Sequence, residues 1–255
     1  MRQALKDQQV GLDPRFRYRG MSQTRIETFS DTAFALAITL LVLSSSVPET
    51  FLELKASMKN VLPFMLCICL ITIIWYQHYI FFLRYGLQNA RTVILNVLLL
   101  CLILVYVYPL KYLMRFLTEF YIALFTRDFK PVEAEFGDLL GNAGGNNMQY
   151  LMVVYGLGVF MIFMTLALMY LHAYRQREQL DLNPYELFST RSSLIMNLLQ
   201  GGVALISVLI AATSIFGPGY SPIVAGFTYF LYPIVMPLAG RILKKKEKLL
   251  SPEED

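Results

Sequence analysis

Long apolar stretches alternate with short polar clusters along the 255-residue chain. Six stretches stand out, at about 26–47, 61–83, 92–117, 149–173, 192–214 and 220–242. A helix crosses a bilayer with roughly 20 apolar residues, whereas a membrane strand needs about half as many. Only a helix satisfies its own backbone hydrogen bonds in lipid without closing a barrel. The pattern therefore predicts an all-α membrane protein with six transmembrane helices. It divides the chain into an N-terminal segment 1–25, a membrane domain 26–242 and a C-terminal tail 243–255.

The connections are mostly short. Arg84 to Arg91 joins the second helix to the third, and residues 174–191 join the fourth to the fifth, with Asn183-Pro184 as a turn or helix start. The longest connection, 118–148, carries Glu119, Asp128, Glu133, Glu135 and Asp138 and then a glycine–asparagine run at 141–147. Gly217-Pro218-Gly219 separates the last two helices tightly. Pro233 and Pro237 are expected to kink the sixth, because proline lacks a backbone donor and clashes one turn back. No internal repeat is present, so the inverted-repeat signature of many transporters is missing.

Composition agrees with this partition. The chain is 56% hydrophobic and 16% charged, against about 25% charged in a soluble domain, so lipid must cover much of the surface. With both ends on one side, that face carries sixteen of the 22 lysines and arginines, including Arg15, Arg17, Arg19, Arg84, Arg91, Arg175, Arg191 and Lys244 to Lys246. The excess of basic residues predicts cytoplasmic termini. An odd number of helices would split the two basic tails across the membrane. Residues 1–25 contain no apolar core of a signal peptide, and the first helix is expected to act as an uncleaved anchor. The basic tails read as topology signals and lipid contacts; no fold motif points to nucleic acid.

Enzyme signatures are absent. His78 and His172 lack metal-ligand spacing, no phosphate loop is present, and Cys67, Cys69 and Cys101 read as packing residues, so neither a metal nor a cofactor is expected. The chemistry that remains is intramembrane polarity. An aspartate at a helix centre costs roughly 2.5–3.5 kcal/mol, and Asp31 is the carboxylate clearly inside a run. It stands six residues past Arg25, about 9 Å into the helix. His78, Asn96 and Asn197 lie at nearly the same depth in their own runs. That coincidence predicts a buried layer containing Ser30, Asp31, Trp75, His78 and Asn96. It reads either as glue between the first three helices or as a proton relay or ion site. The first is favoured because a lone carboxylate among donors is satisfied rather than poised.

A second pattern follows Asp31. Thr32, Leu36, Thr39, Leu43 and Ser46 recur at steps of four and three and so share one helix face. Ala33, Ala35 and Ala37 flank it and permit close packing. The stripe reads either as ordinary helix packing or, if several copies surround an axis, as apolar rings at Leu36 and Leu43 with a hydroxyl ring at Thr39 between them. Such rings gate by dewetting and force ions to shed water.

The string Arg25-Ile26-Glu27-Thr28-Phe29-Ser30-Asp31 resembles the Arg-x-x-x-Phe-Ser-Asp signature of the transmembrane protein 175 family of potassium channels. Trp75-Tyr76-Gln77-His78 is similar to the tryptophan–histidine element of that family, and the six-helix plan covers nearly the whole chain. The resemblance implies a potassium-preferring cation channel without the usual filter loop, in the plasma membrane of a prokaryote. It implies a homotetramer whose first helix lines a central pore, with Leu36 and Leu43 as the constriction and Thr39 as the selectivity position. Arg25, Phe29, Ser30, Asp31, Trp75, His78 and Asn96 then form a structural packing network. Expected partners are permeant potassium, the lipid bilayer and other copies of the chain. The competing expectation is a proton-coupled secondary transporter using Asp31 and His78; a membrane scaffold is a third.

Overall fold

The computed structural model describes residues 13–44, 47–58, 60–130, 133, 137, 146–217 and 219–250. Ser46 and the glycine-rich run 141–145 lie outside the described residues. Helix α1 spans Arg25–Leu43. It starts at a capping box, in which Thr24 accepts from the Glu27 backbone and the Glu27 carboxylate accepts from the Thr24 N–H at 2.7 Å, so the first turn is fixed before the apolar run begins. A short helix α2, Phe51–Met58, follows; the six apolar runs did not predict it. Helix α3, Val61–Tyr85, stops at Gly86, whose φ of 57° is left-handed. Asn89 caps α4, Ala90–Thr126. Helix α5 is Asn146–Arg175, and α6, Pro184–Thr213, opens at the Asn183–Glu186 capping box with proline in its first turn. A seven-residue α7, Ser221–Phe227, a 3₁₀ turn, Thr228–Leu231, and α8, Tyr232–Leu250, close the fold. Among the described residues, six helical stretches are long and apolar enough to cross a membrane: α1, α3, α4, α5, α6 and the continuous α7–α8.

Helix α6 begins at Pro184 rather than near 192, so the 174–191 connection is shorter than expected, and two further regions differ from the sequence reading. Helix α4 runs 37 residues, about 55 Å at 1.5 Å per residue, and extends well past residue 117. Residues 118–126 are helix rather than loop because Phe116 and Met148 pack together, and Ala123 is also buried. In the last span the break comes ahead of the prolines. The 3₁₀ turn covers Tyr229, the residue four before Pro233 against which its ring would clash, while Pro237 sits inside α8.

One face of α1, through Ser30, Ala33, Phe34, Ala37 and Leu41, is buried in the core it shares with α3 and α4. Helices α4 and α5 are joined by two tyrosines. The Tyr106 hydroxyl donates to the Tyr155 carbonyl, and the Tyr155 hydroxyl donates to the Pro109 carbonyl at 2.5 Å. Gly158 makes this approach possible, since a Cβ there would stand 1.8 Å from the Tyr106 ring.

The N-terminal segment is a strap. Residues 16–20 lie across the end of α3, where Gly20 donates to Leu83 O at 3.0 Å. A Cβ on Gly20 would meet Phe82 O at 2.1 Å, so only glycine fits. Phe16 is 3% exposed, lying edge-on to Tyr85 and beneath the Arg84 guanidinium. Arg15 bonds Glu247 at 2.5 Å, so the strap and the last helix meet at one end of the bundle. Burial opposes charge on Asp13, but hydrogen bonds from Arg15 and Tyr185 outweigh it and hold its carboxyl at about 2. Its contribution is therefore complete at neutral pH, declines once pH drops below the ordinary carboxylate value of 3.8, and is lost as pH falls through about 2.

Candidate functional site

The polar residues of α1 fall into three groups. Ser30 is buried and donates to its own Ile26 carbonyl at 2.8 Å, while the Asn96 amide donates to Ser30 Oγ at 2.8 Å. Asn96 thereby turns its carbonyl toward His78, whose Nε2 donates to it at 2.7 Å. Phe34 and Phe82 flank the His78 ring. The chain of donors runs from α3 through α4 to α1 and ends on a backbone carbonyl.

Asp31 belongs to a second group. It is exposed and accepts from Trp75 Nε1 at 2.9 Å and Gln23 Nε2 at 3.3 Å. Trp75 stacks on Tyr79. The single buried layer expected from the depth of these residues is thus two adjacent sets. Ser30 and Asp31 are neighbours on the helix and point about 100° apart, which sends one into the core and the other outward. No hydrogen bond links Asp31 to the Ser30–Asn96–His78 chain among the described residues. Asn197, at the expected depth, donates to Ser193 O instead.

The third group is the uncovered stripe. Leu36 is 49% exposed, Leu43 71% and Phe29 62%, and Arg25, Thr32 and Thr39 are exposed with them. At about 100° per residue these six positions fall within an arc of roughly 80°. Arg25 and Phe29 therefore stand outside the packing network within one chain and continue the line of Leu36 and Leu43 instead. The hydroxyls of Thr32 and Thr39 each donate to the carbonyl four residues back at 2.9 Å. Each hydrogen is thus engaged within the helix, and lone pairs remain for whatever lies along the stripe.

The far end of the stripe is fixed by a residue the sequence reading did not single out. Lys111 of α4 donates to Leu41 O at 3.1 Å and to Ser44 Oγ at 2.6 Å. It meets the carbonyl end of α1, where a cation is favourable, beside Leu43. Replacing Lys111 with methionine should loosen this turn by about 1 kcal/mol. The expected readout is faster amide exchange at residues 41–44 with the start of α1 unchanged. Uniform exchange along α1 in the variant and the wild type would show that Lys111 does not hold it.

Another residue not anticipated is Glu186, fully buried at the start of α6. Its carboxylate accepts from Arg19 at 2.8 Å, from the Arg17 backbone at 2.7 Å and side chain at 3.2 Å, and from the Asn183 backbone at 2.9 Å. The Asn183-Pro184-x-Glu186 spacing carried a signal for the cap, but nothing local indicated that the strap's arginines converge there.

These features define a multi-pass helical membrane protein whose first helix buries one face in its own chain and leaves a line of leucines and hydroxyls uncovered. Residues 25–107 match the family described as endosomal/lysosomal potassium channel TMEM175. A protein of Marivirga tractuosa named "Potassium channel" is 53% identical over 241 residues, which is 94% of this chain and 96% of that one. The crystal structure of a variant of the potassium channel MtTMEM175, in complex with a Nanobody-MBP fusion protein, aligns with a TM-score of 0.82 and 52% identity over 92% of this chain and 100% of that one. The chain belongs to the TMEM175 family.

Proposed function

We propose that the protein is a potassium channel in which four copies surround an axis lined by α1, with both termini in the cytoplasm of a prokaryotic cell. The observation that carries this reading is the uncovered stripe. The last span is also little covered by its own chain, but its exposed large side chains, including Phe227, Phe230, Ile234, Leu238 and Ile242, are apolar and suit lipid. The α1 stripe interleaves threonines with leucines, a poor match to hydrocarbon and a good one to a narrow aqueous path.

Around an axis, Leu36 and Leu43 form rings about 10 Å apart, with Thr39 between them. Apolar rings make a hydrated ion shed water before it passes. Potassium holds its water less tightly than sodium, so the barrier favours potassium, and the Thr39 oxygens supply acceptors where hydration is lost. The buried Ser30–Asn96–His78 chain and the Asp31–Trp75 bond set the angle of α1 against α3 and α4. A proton-coupled carrier using Asp31 and His78 finds no support in this geometry, since the chain from His78 leads to a backbone carbonyl and away from Asp31.

Reconstitution in planar bilayers tests the reading. Unitary currents with a reversal potential that tracks the potassium gradient are expected. Saturable flux at carrier rates, without unitary currents, contradicts it.

A further inference from the structure

A cleft of about 300 Å³ opens between the start of α4 and the end of α5, lined by Arg91, Ile94, Leu95, Leu168, Leu171, His172 and Arg175. It lies at the end of the bundle that carries the strap and the last turns of α8. Its composition is graded along the bundle. Arg91 and Arg175 stand at the rim, at the second residue of α4 and the last of α5. The four aliphatic side chains lie about one turn (Ile94, Leu95, Leu171) to two turns (Leu168) further toward the membrane interior.

The rim arginines differ from their neighbours. Arg15, Arg17 and Arg19 are bound to carboxylates, and Arg84 bonds Ser193 and covers Phe16. Arg177 pairs with Glu178. Arg91 and Arg175 are exposed and have neither an ion pair nor a hydrogen bond among the described residues. His172 is held between them because its Nε2 donates to Asn89 Oδ1 at 2.9 Å, the oxygen that also caps α4. Two guanidiniums with open donors thus face one opening, and their elements are locked together just behind it.

A guanidinium fork matches the oxygens of a phosphate, and basic pockets between helices at the membrane surface suit anionic headgroups. We infer that this cleft binds an anionic glycerophospholipid of the same leaflet, its phosphate between Arg91 and Arg175 and the start of an acyl chain along Ile94, Leu95, Leu168 and Leu171. A free phosphate shares the rim chemistry but leaves the aliphatic wall unused. The site is independent of the pore, so it stands or falls apart from the channel reading.

The full-length protein in neutral detergent gives the test. Native mass spectrometry with added phosphatidylglycerol should show retained lipid at concentrations where phosphatidylcholine is not retained, and millimolar inorganic phosphate should not displace it. Arg91→Gln with Arg175→Gln should weaken retention at least tenfold, whereas Lys244→Gln with Lys245→Gln should leave it unchanged. Leu171→Trp, which fills the wall and keeps both arginines, should also weaken it. A photoactivatable phosphatidylglycerol on the wild-type protein, which needs no variant to fold, should label residues 91–95 and 168–175. Equal retention of both lipids, displacement by inorganic phosphate, labelling confined to 241–246 or undiminished binding by the double variant would each overturn the inference.

Discussion

Shortening Leu36 or Leu43 to alanine should raise unitary conductance several-fold, and shortening both should raise it further. On a single chain Leu43 is largely exposed and Leu36 about half exposed, and neither belongs to the buried core, so truncation opens no cavity there. Surface substitutions of this kind usually change stability by less than about 0.5 kcal/mol. A change in conductance would therefore report on the path of the ion rather than on damage to the fold. In the proposed pore, removing an apolar ring would widen the narrowest point and let water enter, which would lower the cost of carrying an ion through it. Thr39→Ala belongs to the same experiment. Its hydroxyl donates within α1, so its loss removes an acceptor from the stripe with little effect on packing. Potassium-over-sodium preference should fall while conductance stays measurable. If single-channel conductance is unchanged in both leucine variants and in the double, α1 does not carry the constriction.

Glu186→Gln should release the strap. The carboxylate is buried and holds two arginines and two backbone donors. Glutamine keeps the shape but loses the charge and one acceptor oxygen. Hydrogen bonds to a charged group are worth roughly 1.5–3 kcal/mol each, and the arginines are partly exposed and regain water, so a net loss of about 2–3 kcal/mol is expected. The measurement is limited trypsin digestion of the detergent-solubilised protein. Cleavage after Arg17 and Arg19 should be slow in the wild type and fast in the variant, with the membrane helices still intact. Equal cleavage of the two would mean that Phe16 and the Gly20 contact hold the strap without Glu186. Because the strap runs directly into the Thr24 cap of α1, its release also frees the base of the helix proposed to line the pore.

Much of this molecule was legible in the order of its residues. Apolar runs longer than a bilayer is thick have only one solution in lipid, so the six spans followed from length and polarity. The caps at Thr24, Asn89 and Asn183 are local hydrogen bonds whose partners lie three residues away, which is why sequence spacing can foresee a helix start such as Asn183-Pro184. The stripe on α1 and the signature around Asp31 were visible for the same reason, since helical periodicity turns spacing into a face.

Sequence alone could not decide which faces find partners. It placed Ser30 and Asp31 in one buried layer with Asn96, and the family resemblance added Arg25 and Phe29, whereas the fold turned Ser30 alone toward Asn96 and, within one chain, left Arg25 and Phe29 on the open line of Leu36 and Leu43. It gave no sign that Lys111 would meet the end of α1, that Arg17 and Arg19 would share Glu186, or that Arg91 and Arg175 would border one cleft. Those groupings join residues 67 to 169 positions apart in the chain. They depend on how the helices lean on one another, and no local spacing encodes that angle. The sequence determined that this protein carries six stretches long and apolar enough to cross a membrane and that its first helix carries an unusual stripe. The tertiary structure decided that the stripe is left uncovered by its own chain, because the opposite face of α1 already fills the groove between α3 and α4.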